Sequence, residues 1–310
     1  MSKAKLAIAL SALTVTCAVW AVSTAGAAHQ RIVRERTQTR SSLSPIGLRD
    51  DKGRGLLVDA WINGAGPFSL VLDTGAGLTI ISDRVAQRAN LQSTKSTRPL
   101  VGGLSATSIS SNQETKISKL ALGTRDNFVS SRVVAAVAQS LPGSIDGILD
   151  PTQVFGSLTY SIDLPRQELV VFESRSQNLK STTSNEGAVV PWVKVGGSNR
   201  PFVRLDSGQL ALIDTGSGFG LAFSDNSAQR SSNQGKQNTI HDLGGGRVET
   251  TRVEAKSVSI GSLVLRNVPT DLIRGAAPGT PVIIGRRALY PFKLTFDPVA
   301  RLIAIETSEH

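Results

Sequence analysis

Two Asp-Thr-Gly segments constrain the fold of this chain more than any other feature of its sequence. They are Phe68-Ser-Leu-Val-Leu-Asp-Thr-Gly-Ala-Gly77 and Gln209-Leu-Ala-Leu-Ile-Asp-Thr-Gly-Ser-Gly218. Each is an apolar run, typical of a buried strand, that ends in a carboxylate followed by a turn glycine. Asp73 and Asp214 are separated by about the length of one small lobe. The pair therefore predicts two similar lobes, each delivering one carboxylate at the end of a strand.

The two halves of the chain repeat the same order of segments. Each Asp-Thr-Gly is followed by an apolar stretch, a glycine cluster, a strand running into a turn glycine, a short apolar segment and a closing hairpin. The first copy consists of Leu78–Ser82, Val101–Leu104, Ile117–Gly123, Ile145–Leu149 and Tyr160–Phe172, and the second of Phe219–Ser224, Leu243–Arg247, Val258–Gly261, Pro281–Gly285 and Lys293–Ile305. This shared order predicts an internal duplication.

The composition favours an all-β protein with many turns, since 29 of the 310 residues are glycine and 19% are charged. The clearest helical pattern runs from Ser82 to Asn90, with Ser82 as its cap, and a second short helix is predicted near Arg286–Leu289. The predicted organisation is a signal peptide over residues 1–28, a basic arm over 29–45, a first lobe over 46–174, a linker over 175–186 and a second lobe over 187–310. A propeptide is the alternative interpretation of the basic arm.

The N-terminus has the pattern of an export signal. Lys3 and Lys5 precede an apolar stretch from Leu6 to Val22, and Ala25-Gly26-Ala27 is a small-residue cleavage signature. We expect a periplasmic or secreted protein that is cleaved after residue 27 or 28. An uncleaved membrane anchor is the alternative. The only cysteine, Cys17, lies within the signal, so the mature chain would contain no disulfide.

Charge and histidine content exclude several function classes. The formal net charge is +10, but neither a zinc-finger nor an RNP signature accompanies it, so nucleic-acid binding is not predicted. His29, His241 and His310 lack the spacing of a metal site, and no cofactor is expected. The run Gly244-Gly245-Gly246 lacks the Lys-Ser/Thr ending of a phosphate-binding loop. The excess positive charge predicts a solvated basic surface that favours anionic surroundings.

Two Asp-Thr-Gly loops facing each other would place Asp73 and Asp214 within roughly 3 Å, so that the two carboxyls share one proton. The ionised carboxylate could then take a proton from a bound water while its partner donates one to a carbonyl oxygen, which is the chemistry of peptide hydrolysis. The loops would be supported by the remaining residues of the two motifs, where each glycine permits the turn and each threonine hydroxyl bonds across the two-fold axis: Thr74, Gly75, Thr215, Gly216 and Ser217. The Ser217 hydroxyl is expected to bond the Asp214 carboxylate, which would leave Asp73 as the protonated partner.

On these motifs the chain resembles a single-chain, tandem member of the retropepsin-like aspartic proteases, close to the bacterial aspartyl protease group. The resemblance spans roughly residues 46–306 and implies a bilobal fold of two β-barrel-like lobes around a cleft, with Asp73 and Asp214 catalytic. It also implies that two glycine-rich flaps cover the substrate, formed around Gly102, Gly103, Gly244, Gly245 and Gly246. Ile283-Ile284-Gly285 matches the strand that the family packs beneath a catalytic loop, and Arg286 follows it as in retroviral members.

The chain departs from this family at two kinds of position. Asp150 ends the first lobe's Ile148-Leu149-Asp150, where the family has glycine. It is either a like charge that raises the pKa of the pair or a surface residue before Pro151. Glycine stands four residues after each aspartate, where retroviral members have an acidic residue, so Arg286 is expected to lack its partner.

The sequence therefore predicts a monomeric aspartic endopeptidase that acts on a peptide or protein substrate and has no membrane span once the signal is removed. The first alternative is a non-catalytic peptide-binding or scaffold protein that keeps the fold. The second is a protease that processes a single envelope partner.

Overall fold

The computed structural model describes residues 43–102, 109–139, 141, 145–172, 179, 187–224, 237–241, 247–276 and 280–308. Almost all of the regular structure in these ranges is β-strand. The predicted signal peptide, most of the basic arm, the linker except residue 179, and residues 103–104 and 243–246 of the two glycine clusters lie outside these residues. The boundaries proposed for those segments stay predictions.

The strands are numbered along the chain. Those of the first half are β1 Ile46–Asp51, β2 Gly55–Ile62, β3 Ala65–Leu72, β4 Thr79–Ser82, β5 Ser93–Gly102, β6 Ile109–Ile117, β7 Leu120–Leu122, β8 Phe128–Ser130, β9 Val133–Ala138, β10 Gly147–Leu149, β11 Tyr160–Asp163 and β12 Glu168–Val171. Those of the second half are β13 Gly187–Pro191, β14 Val193–Val195, β15 Ser198–Arg204, β16 Leu210–Asp214, β17 Leu221–Ser224, β18 Gln237–His241, β19 Arg247–Ile260, β20 Leu263–Arg274, β21 Val282–Gly285, β22 Phe292–Asp297 and β23 Leu302–Thr307.

The two halves pair their strands in the same order. The first lobe has the order β2-β3-β10-β4-β9-β6-β5, and the second has β15-β16-β21-β17-β20-β19-β18. In each, the strand that precedes Asp-Thr-Gly runs parallel to a short apolar strand, β3 with β10 and β16 with β21. The predicted all-β, two-lobed fold is confirmed, and the matching order supports the predicted duplication.

The closing hairpins of the two halves pair side by side, and we call these four strands, β11, β12, β22 and β23, the joining sheet. Hairpin β11–β12 lies beside hairpin β22–β23, and Tyr160 stands opposite Phe296 across the β11–β22 pairing. The Tyr160 ring is fully buried and stacks on Phe296 with 4.9 Å between ring centroids. At the turn of the second hairpin, the Asp297 carboxylate accepts the N–H groups of Val299 and Ala300 at 3.0 and 2.8 Å.

The described residues also contain three short helices: α1 Asp83–Arg88, α2 Pro151–Phe155 and α3 Arg286–Leu289. The predictions for α1 and α3 are confirmed, and Ser82 caps α1 by accepting the N–H of Val85 at 3.3 Å. Helix α2 was not predicted, although proline at a first helical position after a capping Asp is a helix-start signal. Among the described residues, no helix is long and apolar enough to cross a membrane.

Candidate active site

The two aspartates lie at the ends of matching central strands. Asp73 directly follows β3, and its N–H donates to the carbonyl of Leu149 at the end of β10 (3.0 Å). Asp214 is the last residue of β16 and pairs with Gly285 of β21. We call residues 73–77 and 214–218 the two aspartate loops. Because each loop leaves a strand held on both sides by neighbours, its backbone position is determined by the sheet.

Reciprocal threonine hydrogen bonds tie the two aspartate loops together. The Thr74 hydroxyl donates to the carbonyl of Ile213 at 2.7 Å, and the Thr215 hydroxyl donates to the carbonyl of Leu72 at 2.9 Å. Each hydroxyl also accepts the backbone N–H of the other threonine, at 3.1 and 3.0 Å. Both threonines are fully buried. This network fixes the distance between the lobes at the point where the aspartates face each other.

The glycines of both motifs are required by this close approach. A Cβ atom at Gly75 would lie 2.7 Å from Cγ of Asp214, and one at Gly216 would lie 2.2 Å from Cγ of Asp73. Both separations are too short for any side chain. The structure thus brings Asp73 and Asp214 together, and each carboxyl lies over the glycine of the opposite loop.

Backbone N–H groups hold the two carboxyls in place. Gly75 donates to Asp73 at 2.7 Å, and Ser217 donates to Asp214 at 2.9 Å. The Ser217 hydroxyl was expected to bond the Asp214 carboxylate. In the structure it instead accepts the N–H of Phe219 at 3.3 Å. The sharp turn of the loop points the Ser217 backbone, rather than its side chain, at the carboxylate.

The environment favours protonation of Asp73 over protonation of Asp214. Burial raises the pKa of Asp73 well above its usual value, and the adjacent Asp214 carboxyl raises it further. Burial also raises the pKa of Asp214, but the Ser217 N–H and the charge of Arg286 act in the opposite direction. Asp73 is 8% exposed, whereas Asp214 is more open to solvent. The pair is therefore arranged to carry one proton, with Asp73 as the more basic site.

Arg286 supports the second aspartate loop from the start of α3. Its guanidinium donates to the carbonyls of Thr215 and Gly216 at 2.9 and 3.1 Å. It also lies 3.7 Å from a carboxylate oxygen of Asp50 in β1. The acidic partner that retroviral members have is absent, and Asp50, from the first strand of the other lobe, lies beside the guanidinium instead.

Asp150 lies behind the first aspartate loop, at the position that Gly285 occupies in the second lobe. It is 2% exposed, so the interpretation as a surface residue is wrong. Its carboxylate caps α2 by accepting the N–H of Thr152 at 2.9 Å. Burial raises its pKa to about 7. A Cβ at Gly285 would lie 2.5 Å from the carbonyl oxygen of Phe219, so the second lobe has no room for an equivalent carboxylate.

The described residues contain no cluster of His, Cys, Asp and Glu that could hold a metal ion. Independently of any metal, two adjacent carboxyls can carry out acid–base chemistry. One buried proton shared by two carboxyls supplies a base and an acid in the same site.

Comparisons with known proteins agree with this geometry. Residues 58–149 match the family model described as aspartyl protease. Among solved structures, the aspartic proteinase from Irpex lacteus is similar, with a TM-score of 0.55 and 15% sequence identity over 86% of this chain and 97% of that chain. The chain has the fold of the aspartic proteases. No curated protein matches its sequence.

The match to the family model covers the first aspartate loop and the strands around it, so the predicted resemblance to retropepsin-like aspartic proteases is confirmed. Of the glycines predicted to form the flaps, only Gly102 lies within the described residues. Gly102 is the last residue of β5 and pairs with Ile109 of β6. Gly103 and Gly244 to Gly246 lie outside the described residues, and their assignment to flaps stays a prediction.

Sequence reasoning missed two groups in this aspartic-protease fold. Arg200 of β15 lies against the first aspartate loop, within 3.3 Å of where a Cβ at Gly77 would stand. Asp50 of β1 approaches Arg286. Neither residue belongs to a motif, and both reach the site only because the lobes face each other.

Proposed function

We propose that this protein is an aspartic endopeptidase that hydrolyses peptide bonds with a water molecule activated between Asp73 and Asp214. One observation carries the proposal. Two carboxyls from matching strands, Asp73 buried and Asp214 half-buried, face each other, and the reciprocal threonine bonds of Thr74 and Thr215 hold their loops in that arrangement. A purely structural pair of aspartates would not be expected to bury like charges side by side, because the cost of desolvation is large.

The chemistry follows from one shared proton. The ionised carboxylate takes a proton from the water as the water oxygen bonds to the scissile carbonyl carbon. The protonated carboxyl of the other aspartate gives its proton to the carbonyl oxygen. A neutral tetrahedral diol results. The carbon–nitrogen bond then breaks as the carboxyl that took the water proton passes that proton to the amine nitrogen. One diol hydroxyl gives a proton to the carboxyl that had protonated the carbonyl oxygen, which restores the starting state.

Substrate would lie extended across the cleft between the lobes. The hairpin of β5 and β6 and the hairpin of β18 and β19 occupy matching places in the two sheets. We assign flap roles to their tips, around Gly102, Gly103 and Gly244 to Gly246. Backbone hydrogen bonds from such hairpins to an extended peptide would give affinity without strong side-chain selectivity.

The direct test uses the Asp73→Asn and Asp214→Asn variants. Asparagine keeps the shape of aspartate but cannot exchange a proton, so each variant should lose at least about a thousandfold in kcat/KM. The assay is cleavage of a peptide library between about pH 3 and 8, followed by mass spectrometry. Circular dichroism checks that both variants are folded. Wild-type cleavage by either folded variant would show that the proposed mechanism is wrong.

The same assay addresses the alternatives. A scaffold protein would bind peptides tightly and yield no products with either the wild type or the variants. A protease dedicated to one envelope partner would ignore the library but cleave that partner, and Asp73→Asn would abolish this cleavage.

We further propose that the protein is exported after cleavage of residues 1–28 and acts as a monomer, since one chain supplies both aspartates. N-terminal sequencing of the active form tests both the export signal and the propeptide alternative. A start at Ala28 or His29 in active material would exclude a propeptide.

A further inference from the structure

The two lobes differ in charge at one matched turn. In the first lobe, β10 is followed by Asp150 and Pro151, whereas in the second lobe β21 ends in Gly285 and is followed by Arg286. These residues occupy equivalent positions, because β10 and β21 pair in the same way with the strands that end in the two aspartates. A buried acid thus lies behind Asp73, and a guanidinium lies behind Asp214.

We propose that this pair of residues, Asp150 and Arg286, places the shared proton on Asp73 and retains it there toward neutral pH, leaving Asp214 as the base that activates water. The inference rests on the proposed proteolysis for its mechanistic meaning. It assigns both residues as positioning groups, since each acts through an aspartate and need not touch the substrate.

Geometry supports this role on the Asp214 side. Arg286 donates to two carbonyls of the second aspartate loop, so its charge is held next to Asp214 by the hydrogen bonds that shape the loop. The carboxylate of Asp50, 3.7 Å away, balances that charge only in part. A fixed positive charge nearby favours the ionised form of a carboxyl.

On the Asp73 side, Asp150 is one residue beyond Leu149, whose carbonyl receives the Asp73 N–H. Its carboxyl is 2% exposed and is kept in place by its bond to the first turn of α2. The titratable and charged groups around it are Asp73 in the first aspartate loop, Arg200 on β15 and Tyr160 on β11. The Arg200 charge favours ionisation of Asp150, and an ionised Asp150 opposes loss of the proton from Asp73.

The consequence is a dependence on pH. Asp150 becomes negative as the pH passes about 7, which is where burial places its pKa. Once ionised, Asp150 places a further negative charge behind Asp73, which makes removal of the shared proton harder. The pair therefore stays in its singly protonated, active form at a higher pH than it would with glycine at position 150.

The experiment measures kcat/KM against pH for the wild type, Asp150→Asn and Asp150→Gly. Asparagine keeps the helix cap, and glycine reproduces the second lobe. Both changes should move the alkaline limb of the profile to lower pH by about half a unit or more and leave the acid limb in place. Asp126→Asn, which removes an exposed carboxylate outside the two motifs, is the matched control and should leave both limbs unchanged.

A merely structural role for Asp150 predicts a different result. Loss of the helix cap alone would lower kcat/KM equally at every pH without moving a limb. An alkaline limb that stays within about 0.2 pH units of the wild type in both variants would overturn the inference.

A second measurement keeps the inference testable if the wild type cleaves nothing. Carboxyl ¹³C signals of the aspartates, assigned with Asp73→Asn and Asp214→Asn, report each proton directly. We expect the shared proton to reside on Asp73 and to be lost at lower pH in Asp150→Asn than in the wild type. A proton found on Asp214, or no change in the Asp150→Asn variant, would overturn the inference. Absence of cleavage with the expected titration would refute only the proposed function.

Discussion

At the scale of single residues, Asp150 makes stability depend on pH. Its ordinary pKa is 3.8, and burial raises the value in the folded protein to about 7. The folded state therefore holds a proton that the unfolded state has released between these two values. The contribution of Asp150 to stability is fully present below about pH 4, is lost as the pH rises to about 7, and does not change further above that pH. At about 1.4 kcal/mol per pH unit, the loss is on the order of 4 kcal/mol.

We expect Asp150→Asn to remove most of this pH dependence, because the amide carries no charge at any pH. Urea unfolding at about pH 4.5 and 7.5 measures the free energy of unfolding for both proteins. The difference between the two pH values should be smaller in the variant, although the buried Asp73 adds a loss in the same direction. The exposed Asp126→Asn should behave as the wild type. An unchanged pH dependence in Asp150→Asn would mean that the carboxyl is hydrated and ionised in the folded state.

The residues of the site were predictable from sequence where a motif names them. Asp73 and Asp214 come from repeated Asp-Thr-Gly segments, and the role of each threonine follows from the need to join two loops. The partner of Arg286 was not predictable, because Asp50 lies in another lobe and reaches the guanidinium only through the tertiary fold. The predicted bond from the Ser217 hydroxyl to Asp214 was wrong for a local reason. The direction of a side chain in a tight turn depends on backbone angles that the sequence does not specify.

At the scale of elements, the reciprocal threonine bonds are the main polar connection between the ends of β3 and β16. Thr215→Val keeps the shape of the side chain but removes the bond to the Leu72 carbonyl and the acceptor for the Thr74 N–H. Two buried backbone groups then lack a partner, at about 1 to 3 kcal/mol each. We expect a loss of about 2 to 6 kcal/mol in the free energy of unfolding.

Thr215→Ser is the control, since serine retains the hydroxyl and loses only a methyl group. It should cost about 1 kcal/mol and keep most of the proteolytic activity, whereas Thr215→Val should lose activity because the aspartates are no longer held in register. Equal stability and equal kcat/KM for the two variants would show that the threonine bonds do not position the pair.

Elements with strong local signals were predicted correctly, and weaker ones were not. Helix α1 has a capping serine and two apolar residues on one face, Val85 and Ala89. Helix α2 has only five residues, and its stability depends on the buried side chains of Val154 and Phe155 rather than on propensity. Its position after the strand that supports Asp73 matches that of α3, so comparison of the two halves was the signal that could have found it.

At the scale of the whole molecule, the sequence repeat predicts that the two lobes share one order of strands, but it does not predict how the lobes are connected. A repeat predicts that two units have the same internal pairing. Pairing of β11 with β22 joins residues that are far apart in sequence, and it depends on how the units pack. The described residues of both lobes contribute to one buried apolar cluster, which includes Leu72, Ile213 and Phe296.

This shared core predicts that the lobes unfold together. Phe296 lies in the joining sheet, where it stacks on Tyr160 and meets the edge of Trp192 at 6.0 Å between ring centroids. Phe296→Ala should therefore cost about 3 to 5 kcal/mol. Hydrogen exchange followed by mass spectrometry should show the same loss of protection in peptides from β3 and from β16, because both strands open in one global transition.

Val248→Ala gives the sharper comparison, because Val248 is buried in an apolar cluster formed only by residues of the second lobe. If the lobes unfold as one unit, this change also reduces protection in β3, by the same free energy as in β16. Val264→Ala, at a position that is 39% exposed, should change neither. Protection lost in β16 alone would show that each lobe unfolds independently. The threonine bonds and the joining sheet would then align two separately stable units, and a single cooperative structure would be excluded.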